Sequence, residues 1–254
     1  MSSETPEVSR LLSIVVPVFN ELDSLRPLVE QVKDSLDREL DFPWELVLVD
    51  DASADGSGDL MDVLAEEFSE VRTLHLAGKS GQSAAIEAGF QDSRGDLIAL
   101  LDADLQTYSG DLPMMIEILD AQGVDAVIGI RTERHDSAWK KFSSRLANGV
   151  RNWLTHEDIT DTACPIKVFN RESILAVNLF DGAHRFLPTL LKMKGFRVHQ
   201  VPVRHTRRRW GSSKYGTWDR AFRGLYDALG VRWVQKRHLR WEIRRDDDAG
   251  GPAR

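Results

Sequence analysis

LIALLDADLQTY, residues 97–108, is apolar from Leu97 to Leu101 and then sets two carboxylates, Asp102 and Asp104, one residue apart. An apolar run without alternation reads as a strand buried on both faces, the mark of a parallel sheet covered by helices. Charges at its end fall at the carboxyl edge of that sheet, where open α/β sheets bind their ligands.

The same pattern recurs on either side. LLSIVVPVF (11–19), WELVLVD (44–50), VRTLHLA (71–77) and VDAVIGI (124–130) read as further strands. Helical patterns lie between them. LDSLRPLVEQVKDSL (22–36) spaces Leu22, Leu25, Leu28, Val29 and Val32 on one face, and SGDLMDVLAEEF (57–68) follows with Ser57 as N-cap candidate. SGQSAAIEAGF (80–90) and SGDLPMMIEILDAQG (109–123) supply two more. The expectation is an α/β fold: a mostly parallel, Rossmann-like sheet with right-handed crossovers and helices on both faces.

Beyond residue 131 the rhythm changes. SAWKKFSSRLANGVRNWLT (137–155) reads as a long helix, ITDTACPIKVF (159–169) as extended, FLPTLLKMKG (186–195) as a short helix and FRVHQVPV (196–203) as a strand. Gly, Ser and basic residues make 204–217 a loop. Trp218, Phe222, Leu225, Tyr226 and Leu229 share one face of a basic amphipathic helix over 218–241. The expected organisation is a flexible N-terminus at 1–10, one catalytic domain at 11–217, the helix at 218–241 and a disordered tail at 242–254.

Hydrophobic residues make up 42% and charged residues 29% of the 254, a soluble globular profile. One cysteine, Cys164, excludes a disulfide framework and suits a reducing compartment. The N-terminus has no signal-peptide pattern, and no window is apolar enough for a membrane span. The expected location is cytoplasmic, peripheral on the membrane. Net charge is −7, unevenly spread: residues 1–203 carry 19 Lys and Arg against 34 Asp and Glu, and residues 204–245 carry 13 against 3. A basic arm on an acidic body seeks phosphate or a membrane surface, or serves as a solvated face.

Five strand tips are polar: Asn20-Glu21, Asp50-Asp51, Gly78-Lys79, Asp102-Ala103-Asp104 and Arg131. On an extended chain Asp102 and Asp104 would face the same way, about 6.6 Å apart. Such a pair, with the Gln106 carbonyl nearby, suits Mg²⁺ or Mn²⁺, which keep waters and take one or two carboxylates plus substrate phosphate oxygens. Other sites are excluded. Gly78-Lys79-Ser80 lacks the upstream glycine of a P-loop, since position 73 is Thr73; no GxGxxG follows the first strand; and the histidines have no zinc spacing. His205, beside the basic loop, suits either a structural role or ligand contact.

PVFNE, VDDASADGS, GQSAA and DADLQ, in that order, resemble the GT-A family 2 glycosyltransferases, and most of all the branch with dolichol-phosphate mannosyltransferase and bacterial polyprenyl-phosphate glycosyltransferases. The resemblance spans about residues 12–235 and includes GIR (129–131) and VPVRHTRRRWGSSKYG (201–216). It implies that Pro17, Asn20, Glu21, Asp50, Asp51, Gly81 and Ala103 contact the donor, with Asp50 on the base or ribose. It implies that Asp102, Asp104 and Gln106 hold a divalent cation (Mg²⁺ or Mn²⁺), and that Arg131 meets the diphosphate or acceptor phosphate. Ser213 and Lys214 match a loop closing over donor and acceptor, with Arg209 as its basic approach. Asp104, Arg131 and Lys214 are the expected catalytic residues. The chain departs from relatives at Asp161-Thr162-Ala163-Cys164-Pro165, where many have a TSG-type turn. RHLRW (237–241) replaces the QxxRW of processive synthases, which makes that activity unexpected.

The implied reaction is an inverting transfer of a sugar from a GDP- or UDP-sugar. A hydroxyl acceptor needs a general base, whereas a lipid phosphate is already anionic, its second ionisation lying at about pH 6. GAHRFLP (182–188) has no carboxylate where hydroxyl-using relatives show a Glu-Asp pair. The expected acceptor is therefore a polyprenyl phosphate, drawn by His184, Arg185 and the arginines of 204–214. Transfer to a saccharide hydroxyl through Asp161 is the alternative, and a nucleotidyltransferase or a nucleotide-sugar-binding non-enzyme is the remoter one. The expected partners are the donor, the lipid phosphate and a membrane surface or second copy at 204–241, but no nucleic acid.

Overall fold

A computed structural model describes residues 10–131, 149, 159–161, 164–206 and 217–239. Each apolar run of the N-terminal half is a strand in it: β1 Leu12–Val18, β2 Trp44–Asp50, β3 Val71–His75, β4 Leu97–Leu100 and β5 Ala126–Arg131. Two more come from the second half, β6 Lys167–Asn170 and β7 Val198–Val203. Among the described residues they form one seven-stranded sheet in the order β3-β2-β1-β4-β6-β5-β7. Every pairing is parallel except those of β6, which runs antiparallel to both β4 and β5. Inserting β6 brings Lys167 level with Leu100 and Ile128, near the edge that carries the polar tips.

The apolar spacing that marked the helices decides which sheet face each covers. On one face α1 (Leu22–Glu39) buries Leu25, Leu28, Val29, Val32 and Leu36, beside Met61 and Leu64 of α2 (Ser57–Glu67) and Leu112, Met115, Ile116 and Leu119 of α4 (Leu112–Gln122). On the other face lie α3 (Gln82–Asp92), α5 (Arg171–Leu175), α6 (Leu187–Met193) and α7 (Thr217–Arg237), through residues such as Ile86, Phe90, Ile174, Leu187 and Val231. α3 sits very close to the sheet. A Cβ on Gly89 would lie 2.4 Å from Val15 Cγ1, so only glycine permits this approach.

Ser57 is not the N-cap of α2. Gly56 holds that position in a left-handed conformation, and the Asp55 carboxylate accepts the Ser57 backbone N–H at 3.0 Å, freeing the Ser57 hydroxyl oxygen to accept from Glu21 N. The C-terminal helix both packs and exposes apolar surface. Ala228 and Val231 are buried against the domain, while Tyr226 (79% exposed), Leu229 and Trp233 (59%) point outward. Of the expected helix at 137–155 the described residues include Gly149, which is helical; the rest of it, the N-terminal segment 1–9 and the tail from 240 lie outside the described residues.

Candidate active site

Among the described residues three non-glycine residues have left-handed φ: Asn20 (53°), Ala52 (57°) and Leu105 (57°). They follow β1, β2 and β4, so the unfavourable backbone is concentrated at the polar edge. Local bonds hold it there. Asn20 Oδ1 accepts Ala54 N at 2.8 Å, and Ser53 Oγ accepts Asn20 N at 2.9 Å, which ties the β1 tip to the β2 tip. Pro17 and Glu21 are half-buried on the same edge.

Consecutive residues along a strand and its immediate end face opposite sides, and this separates Asp50, the last residue of β2, from Asp51 just beyond it. Asp51 turns toward α3 and accepts Ser80 N at 2.6 Å and Gly81 N at 2.9 Å, fixing the entry to that helix. Gly81 has φ +94°, which suits glycine. Asp50 turns the other way. Its Oδ1 accepts Ser53 N at 2.9 Å, its Oδ2 lies 3.5 Å from His75 Nδ1, and it lines a cavity of about 350 Å³ with Gly56, Gly58, Asp59 and Asp62.

His75 is bonded by Asp62 at 2.9 Å, and this bond, with Asp50 behind it, raises its pKa above the ordinary imidazole value. A raised value means the folded chain binds the proton more tightly. The resulting stability is complete below about pH 6.5 and fades as pH rises through the folded value. His75→Asn is therefore expected to lower the melting temperature at mildly acidic pH and to change little in alkaline buffer.

The two carboxylates of the opening stretch do not sit on an extended chain. β4 ends at Leu100 and the backbone turns at Ala103-Asp104, with Leu105 left-handed. Asp104 Oδ1 accepts Gln106 N at 3.2 Å, and Gln82 Nε2 donates to Asp102 Oδ1 at 3.2 Å. The bend replaces the extended geometry expected from sequence, because a strand that has left the sheet loses the ladder that kept it straight. Among the described residues no three His, Cys, Asp or Glu side chains form a ready metal cage. Two carboxylates at one turn with Gln106 beside them fit instead a hard cation that takes further oxygens from water and substrate.

Behind this turn the chain returns from β7. Thr206 N donates to Gln106 O at 2.8 Å and His205 bridges to Thr107, giving His205 a structural place. The basic loop thus departs from the carboxylate turn itself; Arg209, Ser213 and Lys214 lie outside the described residues. Arg204 is committed elsewhere than to an acceptor. It donates to Asp111 at 2.7 Å and stacks over the Tyr108 ring at 4.1 Å.

On the β5–β6 side, Arg131 Nε and Nη2 donate to the two oxygens of Asp161 at 2.7 and 2.8 Å, and Asp161 is 2% exposed. The side chain expected on a phosphate is thus clamped to a buried carboxylate. Next to it Lys167, 3% exposed, donates to Cys164 O, and burial lowers its pKa against the opposing pull of the Asp102 and Asp161 charges. Burial pushes the Cys164 thiol up to about 11, so it is inert near neutral pH. Lys167 was not singled out from sequence. Its signal was a lone charge inside the apolar run PIKVF, which suits neither face of a buried strand.

A short 3-10 turn, Ala183–Phe186, docks on the start of α3: Ser83 Oγ accepts Gly182 N at 3.1 Å and lies 2.8 Å from His184 Nδ1. Burial, with Arg185 and Lys167 nearby, pushes His184 down to about 3, so it supplies no positive charge for an acceptor as the sequence had suggested. Gly182 has φ +85°, and a Cβ there would lie 2.8 Å from Asp227 Oδ2 of α7. Gly182→Ala is expected to cost about 1–2 kcal/mol, read by urea denaturation.

The model of glycosyl transferase family 2 matches residues 13–180, from β1 through this 3-10 approach. The chain belongs to that family. Over 237 residues it is 35% identical to the dodecaprenyl-phosphate galacturonate synthase of Rhizobium johnstonii, covering 91% of this chain and 69% of the relative. Over 208 residues it is 40% identical to the undecaprenyl-phosphate 4-deoxy-4-formamido-L-arabinose transferase of Pseudomonas aeruginosa PAO1, covering 81% and 60%. The chain thus spans about two thirds or less of these relatives' lengths. Among solved structures, mannosyl-3-phosphoglycerate synthase from Rubrobacter xylanophilus matches this family 2 chain with TM-score 0.71 at 19% identity, covering 92% and 77%. Glucosyl-3-phosphoglycerate synthase from Mycobacterium tuberculosis, in complex with Mn²⁺, UDP-glucose and phosphoglyceric acid, matches with TM-score 0.62 at 18% identity, covering 87% and 80%. Both likenesses establish the GT-A fold. No described helix of this glycosyltransferase is long and apolar enough to cross a membrane.

Proposed function

We propose that this chain moves a sugar, with inversion, from a nucleotide-diphosphate sugar to the phosphate of a polyprenyl lipid. The observation that carries the acceptor is the Arg131–Asp161 clamp. Asp161, the carboxylate that the sequence offered as base for a hydroxyl acceptor, is buried and held by two charge-assisted hydrogen bonds that engage both its oxygens. A phosphate acceptor needs no base. The names of the curated relatives, both polyprenyl-phosphate enzymes, support the same choice.

Asp102, Asp104 and Gln106 would hold the divalent cation, whose chemistry is to take up charge from the departing diphosphate. Asn20, Glu21 and Asp51 frame the donor edge, Asp51 by fixing the 80–81 backbone. Lys214, Ser213 and Arg209 remain the proposed loop contacts. For the hydroxyl alternative the better base is Asp181, exposed and 3.9 Å from where a Gly81 Cβ would be. Purified protein with Mn²⁺, a panel of UDP- and GDP-sugars, and either polyprenyl phosphate or free saccharides decides between them. A glycosylated lipid phosphate is expected, and product on saccharides alone would overturn the reading.

The outward face of α7, Tyr226, Leu229 and Trp233 with Arg237 over the Trp233 ring at 4.7 Å, suits an interfacial helix on the membrane holding such a lipid. Trp233→Glu is expected to reduce co-sedimentation with anionic liposomes.

A further inference from the structure

His184 is held in an unusual way. The Ser83 hydroxyl carries one proton. Ser83 is 4% exposed, its oxygen accepts Gly182 N at 3.1 Å, and among the described residues the one acceptor within reach of its proton is His184 Nδ1 at 2.8 Å, so the hydroxyl donates to that nitrogen. With Nδ1 accepting, a neutral ring carries its own proton on Nε2. No group among the described residues accepts from that nitrogen. The ring stands at the start of α3, where the preceding residue, Gln82, holds Asp102, and two cations, Arg185 and Lys167, act on it. A neutral donor within the field of two cations is a seat for an anion.

We infer that His184 Nε2–H donates to an oxygen of the acceptor's phosphate, with Ser83 as the residue that orients the ring for it. The assignment rests on the proposed function above. It replaces an electrostatic attraction with a directed hydrogen bond, so the seat discriminates by geometry and keeps its strength as pH changes. The attacking oxygen retains its electrons for the sugar, because the ring gives no proton up and takes none.

Steady-state transfer to polyprenyl phosphate by wild type, His184→Ala, His184→Gln and Ser83→Ala tests it, with thermal melts to confirm folding. His184→Ala is expected to raise the KM for the lipid phosphate by about tenfold or more, the loss of one hydrogen bond to a charged group, and to leave the donor KM unchanged. His184→Gln, whose amide can donate from a similar position, recovers most of that loss, and Ser83→Ala falls between. The ratio of wild type to His184→Gln stays flat between about pH 5 and 8. A changed donor KM with an unchanged lipid KM would mean that the ring serves the donor phosphate and would overturn the assignment, as would a His184-dependent limb in that pH window. If wild type is active on polyprenyl phosphate and His184→Ala matches it, the assignment alone falls. If wild type cannot use the lipid phosphate, the functional reading falls first and the assignment with it.

Discussion

Asp104→Asn is expected to lower kcat/KM by about 100- to 1000-fold, the scale on which losing one ligand to a catalytic charge-stabiliser is felt, while the melting temperature shifts little. The side chain sits in a turn beyond the end of β4, half-exposed, and its Oδ1 accepts Gln106 N, a bond the Asn carbonyl can keep. The turn should therefore survive and the charge should not. Two further measurements distinguish loss of a metal ligand from general damage. The Mn²⁺ concentration for half-maximal rate should rise in Asp104→Asn, and Gln82→Ala, which removes only the amide holding Asp102 Oδ1 at 3.2 Å, should show the same shift in weaker form. An Asp104→Asn enzyme within a few-fold of wild type, at unchanged Mn²⁺ requirement, would remove this turn from the mechanism.

What the sequence disclosed and what it hid have separate physical origins. Apolar runs and helical spacing are local signals, so six strands, β1 to β5 and β7, and the helices among the first five were legible, as was the polar edge. The polar tips were read as one group, yet adjacent residues of a strand face opposite ways. Asp51 went to α3 and Asp50 to the His75 cavity, a separation that alternation along β2 implies but motif matching ignores. The bend at Ala103-Asp104 was invisible because it depends on Leu105 adopting a left-handed φ, which its sequence does not favour. Lys167 and Ser83 escaped for a different reason. Their importance comes from antiparallel insertion of β6 and from docking of the 182–186 turn on α3, contacts across 67 and about 100 residues of chain. Such contacts leave no periodicity to find.

The Arg131–Asp161 pair makes the other large prediction. Asp161 is almost wholly buried and both its oxygens are taken by one guanidinium. Arg131→Met should therefore destabilise the fold by about 3 kcal/mol or more, the usual result of leaving one charge of a buried pair behind. Asp161→Asn should cost less, since it removes the buried negative charge and leaves a cation whose side chain is 21% exposed and can turn toward water. The double variant Arg131→Met/Asp161→Leu should recover much of the stability, because two apolar side chains of similar bulk replace a pair whose desolvation offsets its attraction. Activity then separates two roles for Arg131. If the arginine serves only to hold Asp161 and the turn before β6, the stable double variant regains transfer. If the guanidinium also meets a phosphate, as the family resemblance implies, the double variant folds but stays slow, with the deficit in kcat/KM. Equilibrium urea unfolding of the four proteins gives the coupling energy, and a coupling near zero would show that the clamp contributes nothing to holding this side of the site.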